Sequence, residues 1–224
     1  MKTRLLIGIC GQSGSGKDTM ADYLKKRHNF VKLSLADPLK RVCKEIYDFS
    51  DQQLWGPSEE RNKQDLRYPT GRGFLTPRAA LQTLGTEWGR SLYEDTWTDY
   101  ALRIARDILN GTHTYDQKKG VIPLGFVRSF FNDIGGVVIP DVRFKNEIKR
   151  IKAARGIVIR LRRQGKEGNM EGGIAGHASE AEMKTIPTTE FDYVLDAPEG
   201  IDLFHKSIET LYKKIPKAAS MQFG

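Results

Sequence analysis

An α/β fold built on a central parallel sheet is predicted by three features of the 224-residue sequence. Short apolar runs bounded by glycine, such as RLLIGIC at 4–10 and GGVVIPD at 135–141, read as strands buried on both faces. Longer segments between them carry apolar residues every three or four positions, the spacing of helices that bury one face. The two kinds of segment alternate along most of the chain, as strand–helix–strand crossovers require.

The elements follow in order. After the first strand a glycine-rich turn leads into a helix from Lys17, with Met20, Tyr23 and Leu24 at helical spacing. FVKLSL at 30–35 reads as the second strand. Asp37 as cap and Pro38 at the first position predict a helix with Leu39, Val42, Cys43, Ile46 and Tyr47 on one face. The polar stretch 50–73 has no period and reads as loop or irregular structure. Thr76 and Pro77 restart a helix through RAALQTLGTEWGR, and Asp95 caps another with Trp97, Tyr100, Ala101, Ile104, Ala105 and Ile108 on one stripe. These two are expected to form a sub-bundle beside the sheet. THTYDQKKG reads as a solvated loop and FVRSFFNDI as a short helix. Segment 111–134 matches no motif, which suits a variable insertion or a contact in a homodimer. GGVVIPD is a strand, RFKNEIKRIKAARG a helix ended by Gly156, and IVIRLRR a strand. QGKEGNMEGGIAG has the glycine-rich, polar composition of a mobile flap. FDYVLDA supplies the last strand, and Ile201, Phe204, Ile208, Leu211, Tyr212 and Ile215 line the final helix.

Composition narrows the class. A hydrophobic content of 39% suits one sizeable core. The net charge of +8 is scattered through every segment, which fits a basic cleft for phosphorylated small molecules. No aromatic-rich basic platform or recognition helix stands out, so nucleic acid is not the expected partner. Cys10 and Cys43 read as buried, reduced thiols. MKTRLLIGICGQ has the basic start of a signal peptide, but its apolar run is too short and no small-residue cleavage site follows. No other segment is long and apolar enough to span a membrane, and the expected location is the cytoplasm.

GQSGSGKDT at 11–19 carries the chemistry. Gly11, four residues, Gly16 and Lys17 reproduce the spacing of a phosphate-binding loop, here placed between a strand and a helix. Gly11, Gln12, Ser13, Gly14, Ser15 and Gly16 would turn backbone N–H groups onto phosphates, and Lys17 would reach the β and γ phosphates. Asp18 stands where most such loops put the Ser or Thr that holds magnesium; it would hold Mg2+ directly or through water, or serve as an acidic first-turn residue. Thr19 is the hydroxyl left to contact phosphate. Transfer of a γ-phosphoryl group also needs cations facing the loop. Arg143 follows a strand directly, and Arg163 ends another where the glycine-rich flap begins; both are catalytic candidates. Arg162 falls on the opposite strand face and reads as a solvated charge.

GQSGSGKDT, SLADPLKR, LQTLGTEWGR, IPDVRFKNE and GHASE, in this order, resemble the deoxynucleoside monophosphate kinases carried by bacteriophages and prophages. The resemblance covers the chain from Leu5 to about Leu211, and in this family the Asp after the loop lysine is ordinary. It implies a P-loop NTPase fold with a helical acceptor-binding region and a small lid: one domain over 1–224, with a core at 1–48 and 135–215, an acceptor insertion at about 49–134, and a lid at about 163–185. The implied reaction moves a phosphate from ATP, with Mg2+, to a dNMP, giving dNDP and ADP, in the host cytoplasm if the gene is phage-borne. Asp37 and Lys40 would line the acceptor pocket, although Asp37 also reads as a plain helix cap. Arg78 and Arg90 would take the monophosphate, Gln82 and Thr86 the base or sugar, and Gly85 would permit close approach. Trp88 reads as core by its spacing from Leu81 and Leu84. Asp141 would hold magnesium through water, or cap a turn. His177, Ser179 and Glu180 crowd into four residues and read as lid or nucleotide contacts, not a nucleophilic trio. His28, His113 and His205 read as surface residues. A phosphomevalonate or dephospho-coenzyme A kinase is the competing enzyme reading, opposed by LQTLGTEWGR; a nucleotide-dependent DNA-associated protein is the non-enzymatic one.

Overall fold

A computed structural model describes residues 4–125, 133–163, 182–183 and 185–216. Five parallel strands form the central sheet in the order β2–β7–β1–β8–β9. They are β1 (Leu5–Cys10), β2 (Phe30–Lys32), β7 (Gly136–Val142), β8 (Ile157–Arg163) and β9 (Tyr193–Ala197). Side chains alternate across it. Leu5, Ile7 and Ile9 pack under α1 (Lys17–His28) and α8 (Ile201–Lys214) through Met20, Leu24, Phe204 and Ile208. Leu6 and Cys10 face α6 (Thr96–Leu109) and α7 (Lys145–Ala153), meeting Ile104, Ile108, Ile148 and Ile151. Helices on both faces explain why β1 is apolar at every position. Truncating one of these isoleucines to alanine costs about 2–5 kcal/mol.

Topology places the site. The chain leaves β1 toward β2 on one side, while β8 and β9 lie on the other, so a crevice opens at the carboxyl end of β1, where such sheets bind ligands. Among the described residues no helix is long and apolar enough to cross a membrane. Cys10 and Cys43 are buried free thiols, as expected.

Several local expectations are corrected. The second strand stops at Lys32, because the backbone of Leu35 and Ala36 turns away to donate to Asp141. Helix α2 (Asp37–Tyr47) has Ala36, not Asp37, in the cap position; it buries Leu39 and Cys43 but leaves Val42 and Ile46 exposed. The supposed loop at 50–73 contains α3 (Asp51–Trp55), α4 (Ser58–Asn62) and a hairpin of β3 (Pro69–Thr70) with β4 (Gly73–Phe74). Ser50 and Gln53 start α3 by reciprocal capping, a signal present in the sequence. THTYDQKKG is a second hairpin, β5 (His113–Asp116) with β6 (Gly120–Pro123), its turn fixed by Asp116 accepting from the N–H groups of Lys118 and Lys119. Gly156 does end α7, but Arg155 takes the left-handed conformation, at φ 57°. Gly156 N–H then bonds Ile151 C=O at 2.8 Å, and a side chain at Gly156 would strike Ile151 and Leu6. Ile201 is exposed, outside the buried stripe of α8. Most of the FVRSFFNDI helix and of the proposed lid lies outside the described residues.

The RAALQTLGTEWGR helix begins as expected, with the Thr76 hydroxyl accepting from Ala79 N–H. It is α-helical over Pro77–Gln82 (α5) and then widens into a π-helix over Thr83–Arg90. The wider turn breaks the spacing from Leu81 and Leu84, and Trp88 is exposed instead of core. The expected sub-bundle is divided: α5 packs with α2 and α3 around Phe49 and Leu54, while α6 lies in the main core. Trp97 of α6 joins the two, donating its indole N–H to Gly85 C=O at 2.8 Å and lying flush against Gly89. A Cβ at Gly89 would fall 2.3 Å from the Trp97 ring. Gly89→Ala is therefore expected to cost about 1–3 kcal/mol in urea unfolding, and an unchanged midpoint would contradict this packing.

Candidate active site

The glycine-rich loop joins the carboxyl end of β1 to α1. Gly14 and Gly16 are left-handed, at φ 72° and 96°, as a tight anion-binding turn requires. A Cβ at Gly11 would fall 2.5 Å from Leu161 C=O, so glycine there lets β1 and β8 stay close. Lys17 Nζ donates to Gln12 C=O at 2.6 Å, folding its ammonium back over the loop. Burial pushes Lys17 down to about 8, and the Arg143 charge acts the same way. Ser15 is buried and its hydroxyl has no partner among the described residues. Left-handed glycines, an orphaned hydroxyl and an under-solvated ammonium suit a polyphosphate. With the charged lysine as the form that would bind phosphate, kcat/KM for ATP is expected to hold level up to about pH 7.5 and fall through about pH 8; a flat profile to pH 10 would contradict that role.

Two expected carboxylates already have partners. Asp18 pairs with Lys32 at 2.8 Å, and Lys32 also meets Asp22 at 2.9 Å. Desolvation raises the Asp18 carboxyl, but the bond to Lys32 and the charges of Lys32, Lys17 and Lys40 together outweigh it and hold the group below its ordinary value. Asp141 accepts from Leu35 and Ala36 N–H at 2.9 and 3.1 Å and from the Ser34 hydroxyl, fastening the turn before α2. No group of three or more His, Cys, Asp or Glu among the described residues could hold a metal. Asp18 and Asp141 carry hard oxygen donors of the kind magnesium takes one or two of, beside water and substrate phosphate.

Cations gather opposite the loop. Arg143 is exposed at the end of β7, with no ion pair among the described residues. Arg163 reaches back to Gly14 C=O at 3.4 Å. Arg162, expected as a solvated charge, is exposed and pairs with Asp196 on β9, and Arg160 donates to Ile186 C=O. Lys40 lies 3.8 Å from Asp37 and is held below its ordinary value by burial. Arg61, which the sequence reading missed, donates, among the described residues, only to the neutral carbonyls of Leu54 and Gly56. Burial lowers it too, and its charge acts on both Lys40 and Arg143.

The remaining acceptor candidates divide. Asp37 is fully buried, accepting from Ser34 N–H, the Trp55 indole and the Tyr115 hydroxyl, each at 3.3 Å, and burial raises it to about 6. Arg41 donates to Tyr115, Tyr100 and Gln117 C=O, docking the second hairpin onto α2. Gln82 Oε1 is buried with no hydrogen-bond partner among the described residues. Thr86 is half-buried, whereas Gly85 meets Leu39 and Trp97. Arg78 braces α4, donating to Ser58 at 2.7 Å and to Asn62. Arg90 stacks 3.6 Å from the Phe144 ring centroid and bonds Glu94 C=O and Asn146. His177, Ser179 and Glu180 lie outside the described residues. His28, expected at the surface, is largely covered, bonding Glu209 at 2.7 Å; His113 and His205 are half-buried.

A strand, a glycine turn, a half-buried lysine and facing arginines at a sheet switch point define a phosphate-loop kinase. A model of the deoxynucleotide monophosphate kinase family matches residues 5–66. A protein of Acanthamoeba polyphaga mimivirus that carries this enzyme's name is 34% identical over 210 residues, covering 91% of this chain and 94% of its own. The chain belongs to the deoxynucleotide monophosphate kinase family and is a phosphotransferase. Among solved structures, a sugar kinase from Janibacter sp. HTCC2649 aligns at TM-score 0.44 and 12% identity, over 97% of this chain and 98% of that one. A shikimate kinase from Bacteroides thetaiotaomicron aligns at 0.42 and 11%, over 94% and 97%. Likenesses this loose carry no argument, and the fold is read from the strand order and the loop.

Proposed function

We propose that the protein transfers the γ-phosphate of ATP to a deoxynucleoside monophosphate, with Gly11–Thr19 holding the donor phosphates. The observation that carries this reading is the convergence of cations with no carboxylate at ion-pair distance among the described residues: Lys17 at the loop, Arg143 at the end of β7, and Arg61 on α4. Such a cluster repels itself when empty and is neutralised by phosphates from both substrates. Magnesium would supply charge neutralisation of the phosphates; Asp18 and Asp141 are its candidate holders, each having to share its present partners.

In this scheme Lys17 orients the transferred group, and Arg143 and Arg163 stabilise the charge that spreads over it. Lys40 on α2 and Arg61 on α4 receive the acceptor phosphate. Gln82, with a buried oxygen awaiting a donor, reads the base edge. Arg78 and Arg90, both braced within the protein, act by holding the acceptor segment. The division of labour is tested with Arg61→Met. The KM for the dNMP is expected to rise about tenfold or more, the loss of a charged hydrogen bond, with the KM for ATP little changed. An equal rise in both, or in neither, would remove Arg61 from the acceptor side.

A further inference from the structure

We infer that Glu147 is a positioning residue, one buried carboxylate that fixes Arg143 and the acceptor-side π-helix in a common register; the inference rests on Arg143 acting on the transferred phosphate. Glu147 is 4% exposed in the first turn of α7. Its Oε2 accepts from the N–H groups of Arg143 at 2.6 Å and Phe144 at 3.0 Å. Its Oε1 faces Arg90 Nη1 at 3.8 Å. Arg90 is the last residue of the π-helix, and its guanidinium lies on the ring of Phe144, the residue next to Arg143. The same side chain therefore grips the backbone of the arginine at the end of β7 and the end of the segment that carries Gln82 and Thr86. Asn146 repeats the link from the next position, bonding Arg90 and Asp95.

A helix start needs only an acceptor for its free N–H groups, which Ser, Asp or Asn would supply from the surface. A carboxylate buried to this depth is costly unless paired, and burial raises it to about 7. The pairing across to Arg90 is what a purely local cap would not require. Displacing Arg143 by even an ångström would loosen its aim at the phosphate, a change worth up to about a hundredfold in rate.

The test compares Glu147→Gln, Arg90→Met and the double variant, each shown folded by its thermal transition. Glutamine keeps an oxygen for the backbone N–H groups but removes the ion pair. Each single variant is expected to lower kcat at least about tenfold with the KM for ATP within about twofold, and the double variant to be no slower than the worse single one. A folded Glu147→Gln enzyme with wild-type kcat would overturn the inference, as would losses that multiply in the double variant. If Glu147→Gln does not fold, Arg90→Met alone decides: wild-type kcat there also overturns it. Failure of the underlying reading is separate, since it would show as an active Arg143→Ala enzyme.

Discussion

Arg143→Ala is expected to lower kcat for ADP formation by about a thousandfold or more, the scale of removing an arginine that meets transition-state charge in phosphoryl transfer. The fold should be untouched, because the side chain is exposed and makes no ion pair among the described residues, while its backbone N–H stays on Glu147. The KM for ATP should change far less than kcat, since the loop and Lys17 remain. A drop of less than tenfold in kcat would place Arg143 outside the transferring group's shell.

Lys17→Met is expected to lower kcat/KM for ATP by about a hundred- to a thousandfold, and to stabilise the empty protein at neutral pH. The sign follows from the depressed group. Lys17 titrates at about 8 in the folded chain against an ordinary 10.5, so its contribution to stability is present above 10.5 and lost as pH falls through 8. At pH 7 the charged ammonium, next to Arg143 and, among the described residues, facing only Gln12 C=O and more distant carboxylates, opposes folding; methionine removes that cost. The variant should therefore melt higher than wild type at pH 7, with the difference shrinking toward pH 10. A variant that melts lower at pH 7 would show Lys17 to be a structural pair member instead of a poised ligand for phosphate.

The parts of this site legible in the sequence are those fixed by local chemistry. A strand, glycines that must turn left-handed, and a lysine at set spacing can be read within a score of residues, and the structure has them as read. Arg162 was likewise legible as a surface charge, because strand alternation is rigid. Arg61 was not, since α3 and α4 are five residues each, too short for helical periodicity to appear. Its cue was the Ser50 and Gln53 pair, which announces a helix inside an apparently irregular stretch. Trp88 was misread because helical spacing assumes the α period, and the backbone over Thr83–Arg90 widens where Trp97 enters at Gly85 and Gly89. Asp37 reads from the sequence either as an acceptor-pocket residue or as a cap beside proline, yet its carboxylate turns inward to Trp55 and Tyr115, partners 18 and 78 residues away. Only tertiary contact could reveal that.

The central claim, transfer from ATP to a deoxynucleoside monophosphate in this cleft, is tested most directly by following label from γ-labelled ATP with magnesium and each of dAMP, dGMP, dCMP, dTMP, the matching ribonucleotides, phosphomevalonate and dephospho-coenzyme A. The expected result is label in the diphosphate of one or more deoxynucleotides, abolished in Lys17→Met and Arg143→Ala. Label in none of the deoxynucleotides, with or without transfer to another acceptor, would contradict it.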